Sequence, residues 1–167
     1  MFSMTTLMDL DAQDYSKKPI PLAAYSELMA IYALSFTALY HLATRDGKEL
    51  RRPRGLDLAL LSLASYKFAR VITMSFIASP LRAPFTHRGP GLKGGEVQDE
   101  PRGEGLQRAI GSLLTCPFCF SVWSSTAFTF GYTFSPQATR QVAYILSLAA
   151  VGDILHLGFR NARELSE

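Results

Sequence analysis

The chain has 167 residues, enough for one domain, with 48% hydrophobic residues and a formal net charge of +3. Two cysteines three apart exclude a disulfide framework, and basic residues without aromatic interleaving or a recognition motif exclude nucleic acid as a partner. The mean hydropathy of +0.10 hides the pattern that matters, long apolar runs separated by charged loops.

Residues 1–21 hold Asp9, Asp11, Asp14, Lys17 and Lys18 and close with Pro19 and Pro21. They read as a polar arm and lack the basic-then-apolar pattern of a secretory signal. Residues 22–44 read as a first membrane helix. Leu28, Ile31, Leu34 and Phe36 supply apolar surface, and Tyr25, Tyr32 and Tyr40 suit the interfaces. Arg45 to Gly55 is a short basic connection broken by Pro53. A second helix is predicted over 56–79, stopped by Pro80. Lys67 and Arg70 lie on one face of it. A cation in the middle of a span costs roughly 2.5–3.5 kcal/mol, so both must face the bundle interior or snorkel to a headgroup.

Residues 80–108 form a long polar loop. Pro80, Pro84, Pro90 and Pro101, with six glycines from Gly89 to Gly105, predict no regular element there. The charged tail of this loop reads as disordered or as a cap that a partner orders. The glycines match no phosphate-binding pattern, because no Gly-Lys-Ser/Thr and no strand accompany them. A short helix over 106–114 is expected to lie against the bilayer.

From there to Arg140 the chain changes character. No Asp, Glu, Lys or Arg occurs between Arg108 and Arg140, a gap of 31 residues. Both cysteines stand near the head of that run, as Cys116-Pro117-Phe118-Cys119. Thr115 is the expected N-cap and Pro117 suits a first helical turn. A helix over 116–134 rises roughly 28 Å, about one hydrocarbon thickness. Ser135-Pro136 repeats the device and opens a fourth helix over 136–159. The predicted fold is all-α: a four-helix integral membrane domain over 22–160, with a tail over 161–167.

Two blocks of this sequence resemble the DUF1360 family, mainly bacterial small membrane proteins of unknown function that include sporulation-associated members. The first is Tyr66-Lys67-Phe68-Ala69-Arg70-Val71-Ile72 with Ala78-Ser79-Pro80-Leu81-Arg82-Ala83-Pro84-Phe85. The second is Glu100-Pro101-Arg102-Gly103, then Ala109 through Cys119, then Val122-Trp123. The resemblance covers about residues 56–158. It implies a bacterial membrane location and supplies no indication of an activity. Thr73-Met74-Ser75 and Ser112 stand where the family tends to acids, which implies that a reactive site built on those acids is absent here.

The cysteines admit three readings. A helix N-terminus stabilises a thiolate, so Cys116 could attack a disulfide and Cys119 resolve it, as in a thiol–disulfide oxidoreductase. A zinc or iron–sulfur site needs more ligands. His87 or a second copy's cysteine pair would supply them, giving a metal-stapled homo-oligomer. Finally, two small polarisable side chains can simply let helices approach. No cofactor is predicted from the last reading.

Arg70 and Asp153 sit inside different predicted spans, and their pairing is the economical arrangement. Lys67 is expected to snorkel rather than pair. His41 and His156, near helix ends, read as interfacial, and Trp123 with its neighbouring phenylalanines reads as packing. Lysine and arginine number nine on the side of the termini and long loop against six on the other. That balance places termini and loop in the cytoplasm. The function expected from these readings is non-catalytic: an accessory or scaffold subunit, with the bilayer and other membrane subunits or itself as partners.

Overall fold

The computed structural model describes residues 20–45, 49–91 and 95–164. Residues 1–19 of the arm predicted over 1–21 lie outside them, as do residues 165–167. Among the described residues the chain is mostly helical. The long helices are α1 (Leu22–Ala43), α2 (Leu56–Met74), α5 (Pro117–Phe134) and α6 (Pro136–Glu164). Between α2 and α5 come a 3-10 turn (Phe76–Ala78), the one-turn α3 (Ser79–Arg82), strands β1 (Thr86–His87) and β2 (Glu100–Pro101), and α4 (Gly105–Thr115).

Side-chain contacts fix the direction of each long helix. Phe68 meets Phe120, Ser65 bonds Ser124 and Tyr132 bonds Asp57, so α5 runs antiparallel to α2. Arg140 pairs with Asp57 and Lys67 with Asp153, so α6 runs parallel to α2. Tyr32 packs on Trp123 and Phe36 on Phe130, so α1 runs parallel to α5. The four helices therefore alternate in direction. The start of α1, the 79–104 segment, α4 and the end of α6 gather at one end, opposite the 44–55 connection.

The core is thin and made of small residues. Leu61, Ala64, Phe128, Tyr132 and Ala143 form its buried cluster, with Phe68 and Leu146 packed against it. Ala69, Ser124, Ser147 and Ala150 are buried along the helix contacts. Small side chains let backbones approach closely, which is how helices associate when lipid leaves little hydrophobic drive between them. Large apolar residues face outward instead: Met29 and Leu34 on α1, Ile145, Leu148 and Leu155 on α6.

Two helices, α1 and α6, are long and apolar enough to cross a membrane. The pair α4 and α5, bent by 85° at Cys116, would add a third if taken as one span. α2 carries Asp57, Lys67 and Arg70 in 19 residues and does not reach that measure. Composition thus supports fewer spans than the four predicted from the runs.

Three boundaries differ from the prediction. α2 ends at Met74 rather than 79, because Ser75 turns extended (ψ 140°) and the amide of Val97 donates to the Met74 carbonyl. Cys116, not Thr115, is the N-cap of α5, while Thr115 bonds back to the Gly111 carbonyl. α6 continues past Phe159 to Glu164.

Candidate functional site

The expected structureless loop is instead a folded cap at one end of the helices. Thr86 pairs with Pro101 and His87 with Glu100 in a short antiparallel ladder, and further bridges join Ser75 to Glu96 and Gly91 to Val97. At its centre lies Arg82, which has no exposed surface. Its Nε donates to Asp99 Oδ2 at 2.9 Å. One Nη1 donates to the carbonyls of Ile72 and Ser75 at 2.8 and 2.9 Å, the orphan acceptors at the end of α2. Asp99 Oδ1 accepts from the Gly89 amide at 3.3 Å. Thr86 donates to the Arg82 carbonyl at 3.0 Å.

The cap is held against α4 by a second set of contacts. The Arg102 amide and its Nε donate to the Phe85 and Pro84 carbonyls, and Gln107 Nε2 reaches Pro84 O at 2.8 Å. A Cβ at Gly111 would fall 2.3 Å from the Phe85 carbonyl oxygen, so only glycine allows α4 to approach this closely. Arg82, Pro84, Phe85, Pro101, Arg102 and Gly111 all belong to the two sequence blocks quoted above.

The cysteines stand at the bend between α4 and α5. Cys116 and Cys119 are joined at disulfide distance, with Cα atoms 5.3 Å apart, and the Cys119 amide donates to Cys116 Sγ at 3.2 Å. Pro117 occupies the first turn of α5, where its missing N–H costs nothing. Phe118, between them, is exposed. His87 is exposed on β1. Among the described residues no group of three or more His, Cys, Asp or Glu side chains converges to hold a metal ion.

A charged cleft of about 510 Å³ opens between α2, α6 and the cap, lined by Tyr66, Lys67, Arg70, Glu96, Asp153 and Arg160 among others. It corrects the expected Arg70–Asp153 pair. Asp153 pairs with Lys67, and Arg70 pairs with Glu96, with its Nε at 3.1 Å from Oε1. Arg70 also donates to Tyr66 Oη at 3.3 Å and lies over its ring. Three positions along a helix are about 60° apart, so Lys67 reaches α6 while Arg70 reaches the cap. The snorkelling expected of Lys67 is replaced by pairing.

At the opposite end Asp57 accepts from Tyr132 Oη at 2.6 Å and from Arg140 Nε at 2.9 Å. Between the ends, Ser65 bonds both Ser124 and Ser125, and Tyr32 bonds Thr126. Ser112 bonds Tyr25 on α1 at 3.0 Å. Thr73 is buried and donates to the Ala69 carbonyl. Both positions are therefore occupied by local packing.

Reading the sequence singled out Cys116, Cys119, His87, Arg70 and Asp153 but not Asp57, Arg82, Glu96 or Asp99. The one available signal for Arg82 was a lone cation between prolines in Ser79-Pro80-Leu81-Arg82-Ala83-Pro84. Its partner lies 17 residues away, beyond any local pattern.

A family model described as a protein of unknown function (DUF1360) matches residues 60–159, and the chain belongs to that family. The sporulation protein YjcA of Bacillus subtilis (strain 168) is 31% identical over 105 residues, 60% of this chain and 88% of that protein. No solved structure matches.

Proposed function

We propose that this DUF1360 protein is a non-catalytic integral membrane scaffold of the bacterial inner membrane. Four helices lie in the bilayer, and a self-folded polar cap is presented to a larger assembly. The observation that carries the reading is the Arg82 lock. A cap whose central guanidinium is buried against Asp99 and the end of α2 is a rigid polar surface fixed to a membrane bundle. Asp57, Lys67, Arg70, Arg140 and Asp153 of the bundle each have a charge partner, which favours structure over an ion path. α2 supports its own insertion by sitting between α5 and α6, so that its charges meet protein partners rather than lipid. The excess of lysine and arginine at the cap end favours termini and cap in the cytoplasm. The sporulation role named for the relative suggests a partner assembly in that process.

The second reading, a membrane thiol–disulfide oxidoreductase, is favoured by one observation: Cys116 caps a helix N-terminus with Cys119 at disulfide distance. Replacing both cysteines by serine, with mass tagging of the native thiols in intact cells, separates the two. The scaffold reading expects the double-serine variant to insert normally and to crosslink to the same partners as the native protein. A reversible shift of the native thiols under oxidant, with partners lost in the variant, would replace it by the oxidoreductase. Thiols tagged only after a chelator is added would replace it by a metal-stapled oligomer.

A further inference from the structure

We infer that the cleft between α2, α6 and the cap binds the phosphate headgroup of an anionic phospholipid. The cleft holds three full cations, Lys67, Arg70 and Arg160, against two carboxylates, Glu96 and Asp153, so it keeps a positive excess. Both carboxylates are engaged, Asp153 by Lys67 and Glu96 by Arg70. Arg160 forms no ion pair among the described residues, and His156 lines the same cleft. Arg70 retains guanidinium N–H groups beyond those given to Glu96 and Tyr66, and a guanidinium fork matches phosphate oxygens.

Depth supports a headgroup. Arg70 lies four residues, or about 6 Å, before the end of α2, which is where snorkelling cations meet phosphates. The wall beside the charges is apolar and open to the outside: Ile154 is 58% and Leu157 52% exposed. One site thus offers cations to a phosphate and an aliphatic wall to the acyl chain below it, as basic pockets between membrane helices do. A soluble phosphate would use only the first half. The inference rests on the membrane placement of α6 and is independent of the scaffold reading, since binding is measured on the isolated protein.

The test is native mass spectrometry of the purified full-length protein in a neutral detergent, titrated with phosphatidylglycerol, phosphatidylcholine and inorganic phosphate. Phosphatidylglycerol is expected to bind at least about tenfold tighter than phosphatidylcholine. Arg160→Gln, at an exposed position near the end of α6 that does not endanger folding, should weaken it about fivefold, the ratio that matches about 1 kcal/mol for one interfacial arginine. Arg52→Gln, at the opposite end, should leave it unchanged. Equal binding of both lipids, or an Arg52→Gln loss as large as that of Arg160→Gln, would overturn the site. Displacement of phosphatidylglycerol by equimolar inorganic phosphate would overturn the lipid as its ligand.

Discussion

A guanidinium removed from water must find acceptors for its donors, and Arg82 finds four: Asp99, the Ile72 and Ser75 carbonyls and, at 3.5 Å, Ser79 Oγ. Removing one member of a buried charge pair strands the other, at about 3–5 kcal/mol. Arg82→Gln should lower unfolding stability in micelles by that amount. Arg82→Met combined with Asp99→Leu should cost less than the two single changes summed, because no charge is left unpaired. Additive losses in that double-mutant cycle would contradict the pairing. Gly111→Ala should cost about 1–3 kcal/mol by pushing α4 off the Phe85 carbonyl. Arg82 and Gly111 were in view in the sequence, since the two blocks that carry the family resemblance contain them, while Asp99 lies just outside. Their roles were not. A lock formed between residues 82 and 99 has no period, and its acceptors are backbone carbonyls that every sequence possesses.

Element by element, legibility followed the distance over which the physics acts. The apolar runs and the two cap-then-proline starts marked both ends of α1 and α5 to within a residue and the start of α6, whose end runs five residues past the predicted one. The end of α2 was missed because Ser75 leaves the helix to meet a segment some twenty residues on. The two-residue strands of the cap are too short for alternation to show. Charge partners between helices were equally hidden. Lys67 and Arg70 share a stripe of α2, yet one turns to α6 and the other to the cap. Two consequences can be measured at this scale. Ser124→Ala removes the hydrogen bond to Ser65 across α2 and α5 and should cost roughly 0.6 kcal/mol, the usual worth of such a bond between membrane helices. Lys67→Met strands Asp153 and should destabilise the bundle, and Asp153→Leu in the same chain should recover most of the loss, read as thermal stability in micelles.

At the scale of the whole molecule the alternating helices bring the start of α1, the cap and the end of α6 to one end and the 44–55 connection to the other. Among the described residues, the start of α1 and the end of α6 thus lie at the same end as the cap. What reverses expectation is the nature of the long loop, which the chain orders by itself around Arg82. The most direct measurement is therefore amide hydrogen exchange on the purified full-length protein in micelles, with no partner added. Residues 85–91 and 96–104 should exchange far more slowly than an unfolded peptide, and Arg82→Gln should release that protection while α1 and α6 keep theirs. Exchange of the same residues at unfolded rates in the native protein, with protection appearing only when a partner is supplied, would contradict the account.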